Sequence, residues 1–318
     1  MGQSMIFLLL ALPLCLAVVV VSAGYFVKGA VSIAQRLSVP EFIVGSVIVA
    51  IGTSAPEVAI NVSAVLENAG DIVISNIIGS NIVNIGLGIG IAGLLLRFDR
   101  ARPEYARSII VGLIATLALL VNTLLSNDGF LTSYFSLAYG IAILAAFAYY
   151  MYSSIRSADG SEDEDYDAST SLWLAVVFVV GGAIAMAYFS DLAVYFAVNL
   201  SNRIGISEAV IGATVIAAGG SLPEVSSCIA AARMKRPNLI LGNVAGSQIF
   251  NILGILGLSG VIKTFHYSTI LWVDMAILIV MTLILLACIR IAPLRRFMGV
   301  LLLGSYGCYA LYLIAISA

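Results

Sequence analysis

Apolar residues along this chain run in long continuous blocks, and few polar residues separate them. The blocks fall near residues 5–26, 39–66, 71–96, 108–126, 131–153, 172–200, 206–232, 238–262, 269–289 and 297–316. Each is long enough for a bilayer-crossing helix, which needs about 20 mostly apolar residues. The pattern therefore predicts an all-α membrane protein with ten transmembrane helices. Membrane β-strands would instead alternate over segments of about ten residues. No basic residue precedes the first block, and it is too long for a signal-peptide core, so it reads as a retained span.

Basic residues give the blocks a direction. Thirteen of the 15 Lys and Arg fall in the odd-numbered loops or at their edges, and only Arg203 and Lys263 fall on the other side. Basic flanks stay in the cytoplasm, so both termini are expected outside. The central segment, 154–171, is then cytoplasmic. It carries Asp159, Glu162, Asp163, Glu164, Asp165 and Asp167 without apolar periodicity, and reads as a solvated acidic tether, with a regulatory Ca²⁺ site as the alternative.

Composition removes several function classes. The chain is 61% hydrophobic and 10% charged, where soluble domains carry about 25% charged residues. A net charge of −2 with scattered cations excludes nucleic acid as a partner. One histidine, His266, and four dispersed cysteines supply no haem, zinc or redox cluster, so no cofactor is expected. No Ser-His or paired-aspartate constellation points to an enzyme.

The chain also resembles itself. At an offset of 167 residues, Ser38–Leu95 aligns with Gly205–Ile262 without a gap, with 17 identities in 58 positions. Among them Ala50, Gly52, Ser54, Pro56, Glu57 and Val58 meet Ala217, Gly219, Ser221, Pro223, Glu224 and Val225. Further on, Asn76, Gly79, Ser80, Ile82, Asn84 and Ile85 meet Asn243, Gly246, Ser247, Ile249, Asn251 and Ile252. Apolar helices match one another cheaply, whereas polar identities inside them do not. Corresponding helices are five apart, so the copies cross in opposite directions. That division predicts a first five-helix repeat at 1–153, the linker at 154–171, and a second five-helix repeat at 172–318. Inverted repeats of this kind place ion sites at their interface near the midplane.

Glu57 and Glu224 lie deep in their spans, where an ionisable group costs about 2.5–3.5 kcal/mol on insertion scales. Each follows a proline that leaves the carbonyl of Gly52 or Gly219 without its helical donor. Ser54 and Ser221 share a face with the glutamates, while Ser80 with Asn84 and Ser247 with Asn251 line a facing wall. These are oxygen donors suited to Ca²⁺ or Na⁺. For the serines and asparagines alone, interhelical hydrogen bonding is the competing reading.

The runs Gly52-Thr53-Ser54-Ala55-Pro56-Glu57 and Gly79-Ser80-Asn81-Ile82-Val83-Asn84, with their second copies Gly219-Gly220-Ser221-Leu222-Pro223-Glu224 and Gly246-Ser247-Gln248-Ile249-Phe250-Asn251, resemble the two α-repeats of the cation/Ca²⁺ antiporter superfamily. Within it the chain is most similar to prokaryotic Na⁺/Ca²⁺ exchangers. The resemblance implies that Glu57 and Glu224 bind Ca²⁺ together with backbone oxygens around Thr53 and Gly220. It implies one Na⁺ site from the Ala50 carbonyl, Thr53, Ser54, Glu57 and Ser80, and a mirror site from the Ala217 carbonyl, Ser221, Glu224 and Ser247, with Asn84 and Asn251 at the centre. Helices 1 and 6 would slide against the others to alternate access. The expected partners are Ca²⁺, Na⁺ and the lipid of the plasma membrane, with no obligate protein partner. Gly220 departs from the pattern by lacking a hydroxyl, which touches Na⁺ coupling more than divalent binding. Proton antiport and an uncoupled channel remain the alternatives.

Overall fold

The computed structural model describes residues 5–37, 39–96, 98, 103–125, 132–156, 170–204, 219–291 and 297–317. The long helices are α1 (Met5–Leu37), α4 (Gly70–Leu95), α5 (Pro103–Leu125), α6 (Leu137–Arg156), α7 (Leu172–Arg203), α9 (Pro237–Ile262), α10 (Trp272–Arg290) and α11 (Met298–Ser317). Those eight are long and apolar enough to cross a membrane, and α2 (Glu41–Thr53) with α3 (Ala55–Leu66) forms a further crossing bent by 50°. Of the predicted span at 206–232, only its second part is described, ending in α8 (Leu222–Arg233). The acidic run of the linker also lies outside the described residues.

Helices α4 and α9 are the most buried of the long helices, and α1, α6 and α7 are largely exposed along their length. Small residues set this arrangement. A Cβ on Gly45 of α2 would lie 2.8 Å from the Leu239 carbonyl of α9, and one on Gly242 would lie 3.1 Å from the Ser46 amide, so the two backbones touch. Peripheral α1 and α7 pack on each other in the same way: a Cβ on Gly29 would lie 2.6 Å from the Ala175 carbonyl, and one on Gly182 would lie 2.8 Å from Phe26 Cβ. Such approaches are how membrane helices gain packing contacts without a hydrophobic driving force between them.

Local backbone features recur at the 167-residue offset. Ser54 and Ser221 break their helices with φ/ψ of −83°/16° and −90°/9°. After α3 and α8, Asn68 and Lys235 adopt left-handed φ values of 59° and 58°. The middles of α4 and α9 also widen into π turns, at Asn84–Ile89 and, one residue out of that register, at Phe250–Ile255. A third π turn, Gly45–Val49, lies in α2. Hydropathy does not distinguish a π turn from the α-helix around it, so none of these is visible in the sequence pattern.

One predicted boundary is corrected. Residues 132–135 are the strand β1 (Thr132–Phe135), with α6 beginning only at Leu137, and β1 pairs antiparallel with β2 (Phe265–Ser268). The register sets Phe135 against Phe265 and Tyr134 against His266. The Phe135 and Phe265 rings stack at 5.3 Å, and both are buried while His266 faces out. An apolar window merged this short aromatic strand with the helix that follows it. The ribbon is tied to α4, because the Ser268 amide donates to the Asp71 carboxylate.

An ion pair joins the start of α2 to the start of α9, with Arg236 Nη1 2.7 Å from Glu41 Oε1 and both side chains mostly buried. Hydrogen bonds to charged groups contribute about 1.5–3 kcal/mol. Glu41→Gln keeps the shape and loses the charge. It is expected to destabilise the protein by about that amount, seen as a lower thermal unfolding midpoint in detergent.

Candidate cation site

The two broken helices deliver the two glutamates. Pro56 and Pro223 sit in the first turn of α3 and α8, where a missing N–H is tolerated. Each break turns the following residue, Glu57 or Glu224, inward. Both glutamates are fully buried, as are Ser54, Ser221, Ser247 and Asn251, and Thr53, Ser80 and Asn84 are nearly so. Eleven of the twelve predicted ligands are therefore described, those nine together with Ala50 and Gly220, and lie deep in the protein or at the helix break. Gly220 is described at the break itself, and Ala217 lies outside the described residues.

The glutamates share one environment. Ser54 Oγ donates to Glu224 Oε1 at 2.9 Å across 170 residues of sequence. Glu57 and Glu224 are close enough to repel electrostatically. The hydroxyls of Ser80 and Ser221 face Glu57, and those of Thr53 and Ser54 face Glu224. Gly220 also lines the Glu57 side, where a Cβ would stand 4.0 Å from Glu57 Oε1. The hydroxyl missing at Gly220 is thus missing beside Glu57, whereas its counterpart Thr53 stands beside Glu224.

Many of these atoms have no protein partner. Both carboxylate oxygens of Glu57, Glu224 Oε2, the hydroxyls of Ser221 and Ser247, both amide ends of Asn84 and Asn251 Oδ1 are buried without a hydrogen bond. Buried polar atoms are normally satisfied, and an exception calls for a ligand, water or ion. Among the described residues no Lys or Arg forms a salt bridge with either glutamate. The two buried carboxylates, with the hydroxyls of Thr53, Ser54, Ser80 and Ser221 facing them, are hard oxygen donors of the kind that bind Ca²⁺ six to eight at a time. The Ala50 carbonyl stands apart, because it already accepts from the Ser54 amide at 3.1 Å and from Thr53 Oγ1 at 3.3 Å.

Sequence reasoning missed the residues that bond to the two glutamates' backbone and to Asn251. Asn61 Nδ2 donates to the Glu57 carbonyl at 2.8 Å, and Asn243 Nδ2 reaches the Glu224 carbonyl at 3.5 Å. Asn251 Nδ2 donates to Asn81 Oδ1 at 3.1 Å. Asn61 was findable, since it sits one helical turn after Glu57. The Asn81–Asn251 contact joins two helices and had no signal along the chain.

The family model described as sodium/calcium exchanger protein matches residues 7–156 and 173–315. The chain belongs to the sodium/calcium exchanger family. It is 32% identical over 305 residues to the putative antiporter CaxA of Alkalimonas amylolytica, covering 92% of this chain and 93% of that protein. It is 30% identical to the sodium/calcium exchanger MaX1 of Methanosarcina acetivorans, covering 93% of this chain and 95% of that one. A solved structure of the sodium-calcium exchanger NCX_Mj, soaked with Na⁺ and Ca²⁺, superposes with a TM-score of 0.80 at 28% identity and covers 95% of this chain and 97% of its own. This family member is an integral membrane cation/Ca²⁺ antiporter and not an enzyme.

Proposed function

We propose that this antiporter exchanges Na⁺ for Ca²⁺ across the plasma membrane by alternating access. The observation that carries the reading is the 2.9 Å bond from Ser54 to Glu224, which joins the two broken helices around carboxylate oxygens that no protein group satisfies. In this reading ten crossings form two inverted five-helix repeats with both termini outside, and residues 206–232 form the seventh crossing.

With both glutamates ionised the cage carries −2, and one Ca²⁺ neutralises it. Glu57 and Glu224 hold Ca²⁺ with backbone oxygens around Thr53 and Gly220. Na⁺ ions use the same carboxylates with Ser54, Thr53 and Ser80 on one side and Ser221 and Ser247 on the other. The carbonyl of Ala50 joins the first set by giving up its 3.3 Å contact from Thr53, and Ala217 plays that part in the second. Asn84 and Asn251 close the centre. Because the two cations need the same oxygens, they compete, and competition couples their movements. An empty cage leaves two buried like charges facing each other, a costly arrangement that opposes unloaded switching.

The moving element is the α1–α7 pair. These helices pack closely on one another, are exposed elsewhere, and border the broken helices: a Cβ on Gly52 would lie 3.1 Å from Phe26 of α1. Sliding the pair opens the cage to one side and then the other.

Proteoliposomes loaded with Na⁺ are expected to take up radioactive Ca²⁺ against its gradient, with uptake collapsing when internal Na⁺ is replaced by choline. Uptake that follows an imposed proton gradient without Na⁺ would identify Ca²⁺/H⁺ antiport instead, since protons can also neutralise the glutamate pair. Downhill Ca²⁺ flux with no counter-ion would identify a channel.

A further inference from the structure

Resting on the cation-cage reading, we propose that Asn81 is a positioning residue that holds the amide of Asn251 with its oxygen available to the ion. The related amide of Asn84 lacks such a partner, so the two central ligands are unequal.

A primary amide has two different ends, and only the oxygen ligates a cation. Asn251 therefore serves the cage only when its N–H groups have somewhere else to go. Asn81 provides that place: Asn251 Nδ2 donates to Asn81 Oδ1 at 3.1 Å, and both side chains are wholly buried. Asn251 Oδ1, on the other arm of the same planar group, has no protein partner. Donation from the nitrogen end also polarises the oxygen end and strengthens it as a ligand.

The 167-residue offset shows what happens without this contact. Asn84 corresponds to Asn251, and Gln248 corresponds to Asn81. Gln248 is one methylene longer, and its Nε2 donates to Thr282 Oγ1 of α10 at 3.1 Å. Gly112 of α5 makes room for it, since a Cβ there would stand 2.8 Å from Gln248 Cδ. The Gln248 amide is thus committed to α10, and both ends of the Asn84 amide are left without a partner. Asn251 is a pre-oriented ligand and Asn84 one that turns to suit its ion.

A double-mutant cycle tests this. In the full-length protein, Asn81→Ala is expected to raise the KM for Ca²⁺ in Na⁺-driven uptake by roughly 10-fold, the equivalent of one buried hydrogen bond, while the maximal rate is kept. Asn81→Leu fills the same volume without an acceptor and should do the same if the alanine variant folds poorly. Asn251→Asp carries an oxygen on both arms and needs no orienting, so adding Asn81→Ala to it should change KM no further. Gln248→Ala should lower the thermal unfolding midpoint and leave KM unchanged. An equal loss from Asn81→Ala in both backgrounds, no loss in the wild-type background, or a KM shift from Gln248→Ala as large as that from Asn81→Ala overturns the inference alone. A wild-type chain that neither binds nor transports Ca²⁺ overturns the cage reading as well.

Discussion

Glu57→Gln and Glu224→Gln are each expected to abolish Na⁺-driven Ca²⁺ uptake while the protein still folds. Each substitution keeps the side-chain shape and removes half of the charge that a divalent cation meets. Removing one partner of a buried charge pair costs about 3–5 kcal/mol, and each 1.4 kcal/mol is tenfold in affinity. Ca²⁺ affinity should therefore fall by roughly two to three orders of magnitude. Thermal unfolding with and without Ca²⁺ provides a second readout, because a ligand that binds only the folded state raises the midpoint with its concentration. The wild-type midpoint should climb with Ca²⁺, and those of the variants should not. Without Ca²⁺ the variants should unfold no earlier than the wild type, since each relieves the repulsion between Glu57 and Glu224. Uptake at wild-type rates in either variant would remove both residues from the site.

Gly246→Ala is expected to lower stability and ion affinity together. A Cβ there would lie 2.5 Å from Ser46 Cα and 2.8 Å from the Ser46 carbonyl carbon. Those are backbone atoms of α2, so no side-chain rotation relieves the clash, and α2 must move away from α9. Overpacking of this kind costs about 1–3 kcal/mol and sometimes more. The displaced backbone leads directly into Thr53 and Ser54 on one side and carries Ser247 on the other, so ion affinity should fall with stability. Gly304→Ala is the control, since a Cβ at that position meets nothing within 4 Å. Equal thermal midpoints and equal Ca²⁺ uptake for the two variants would show that the α2–α9 contact does not shape the cage.

The residues easiest to read from the chain were those that break the rule of their surroundings. An ionisable side chain inside an apolar run is costly wherever the helix ends up, so Glu57 and Glu224 stand out before any fold is known. Their prolines are equally legible, because a ring that lacks an N–H frees a helical carbonyl in any context. Their recurrence 167 residues apart narrowed the search to four helices. The bonds that the Ala50 carbonyl accepts from the Ser54 amide and the Thr53 hydroxyl are of another kind, since they follow from how the chain bends at Ser54. Hydropathy merged β1 with α6, because a four-residue strand of aromatic and hydroxyl side chains is too short to alter a window sized for a helix.

By itself the sequence determined the membrane class, the apolar blocks and the identity of the paired oxygen donors, since these depend on the chemistry of single residues and their spacing along one helix. Tertiary structure decided which donor meets which: Ser54 on Glu224, Asn251 on Asn81, Gln248 turned away to Thr282, and Arg236 on Glu41. The physical reason is that such contacts depend on how closely and at what rotation two helices pack. That is set by glycines such as Gly45, Gly242 and Gly246 meeting a neighbouring backbone, and no periodicity within either helix encodes it.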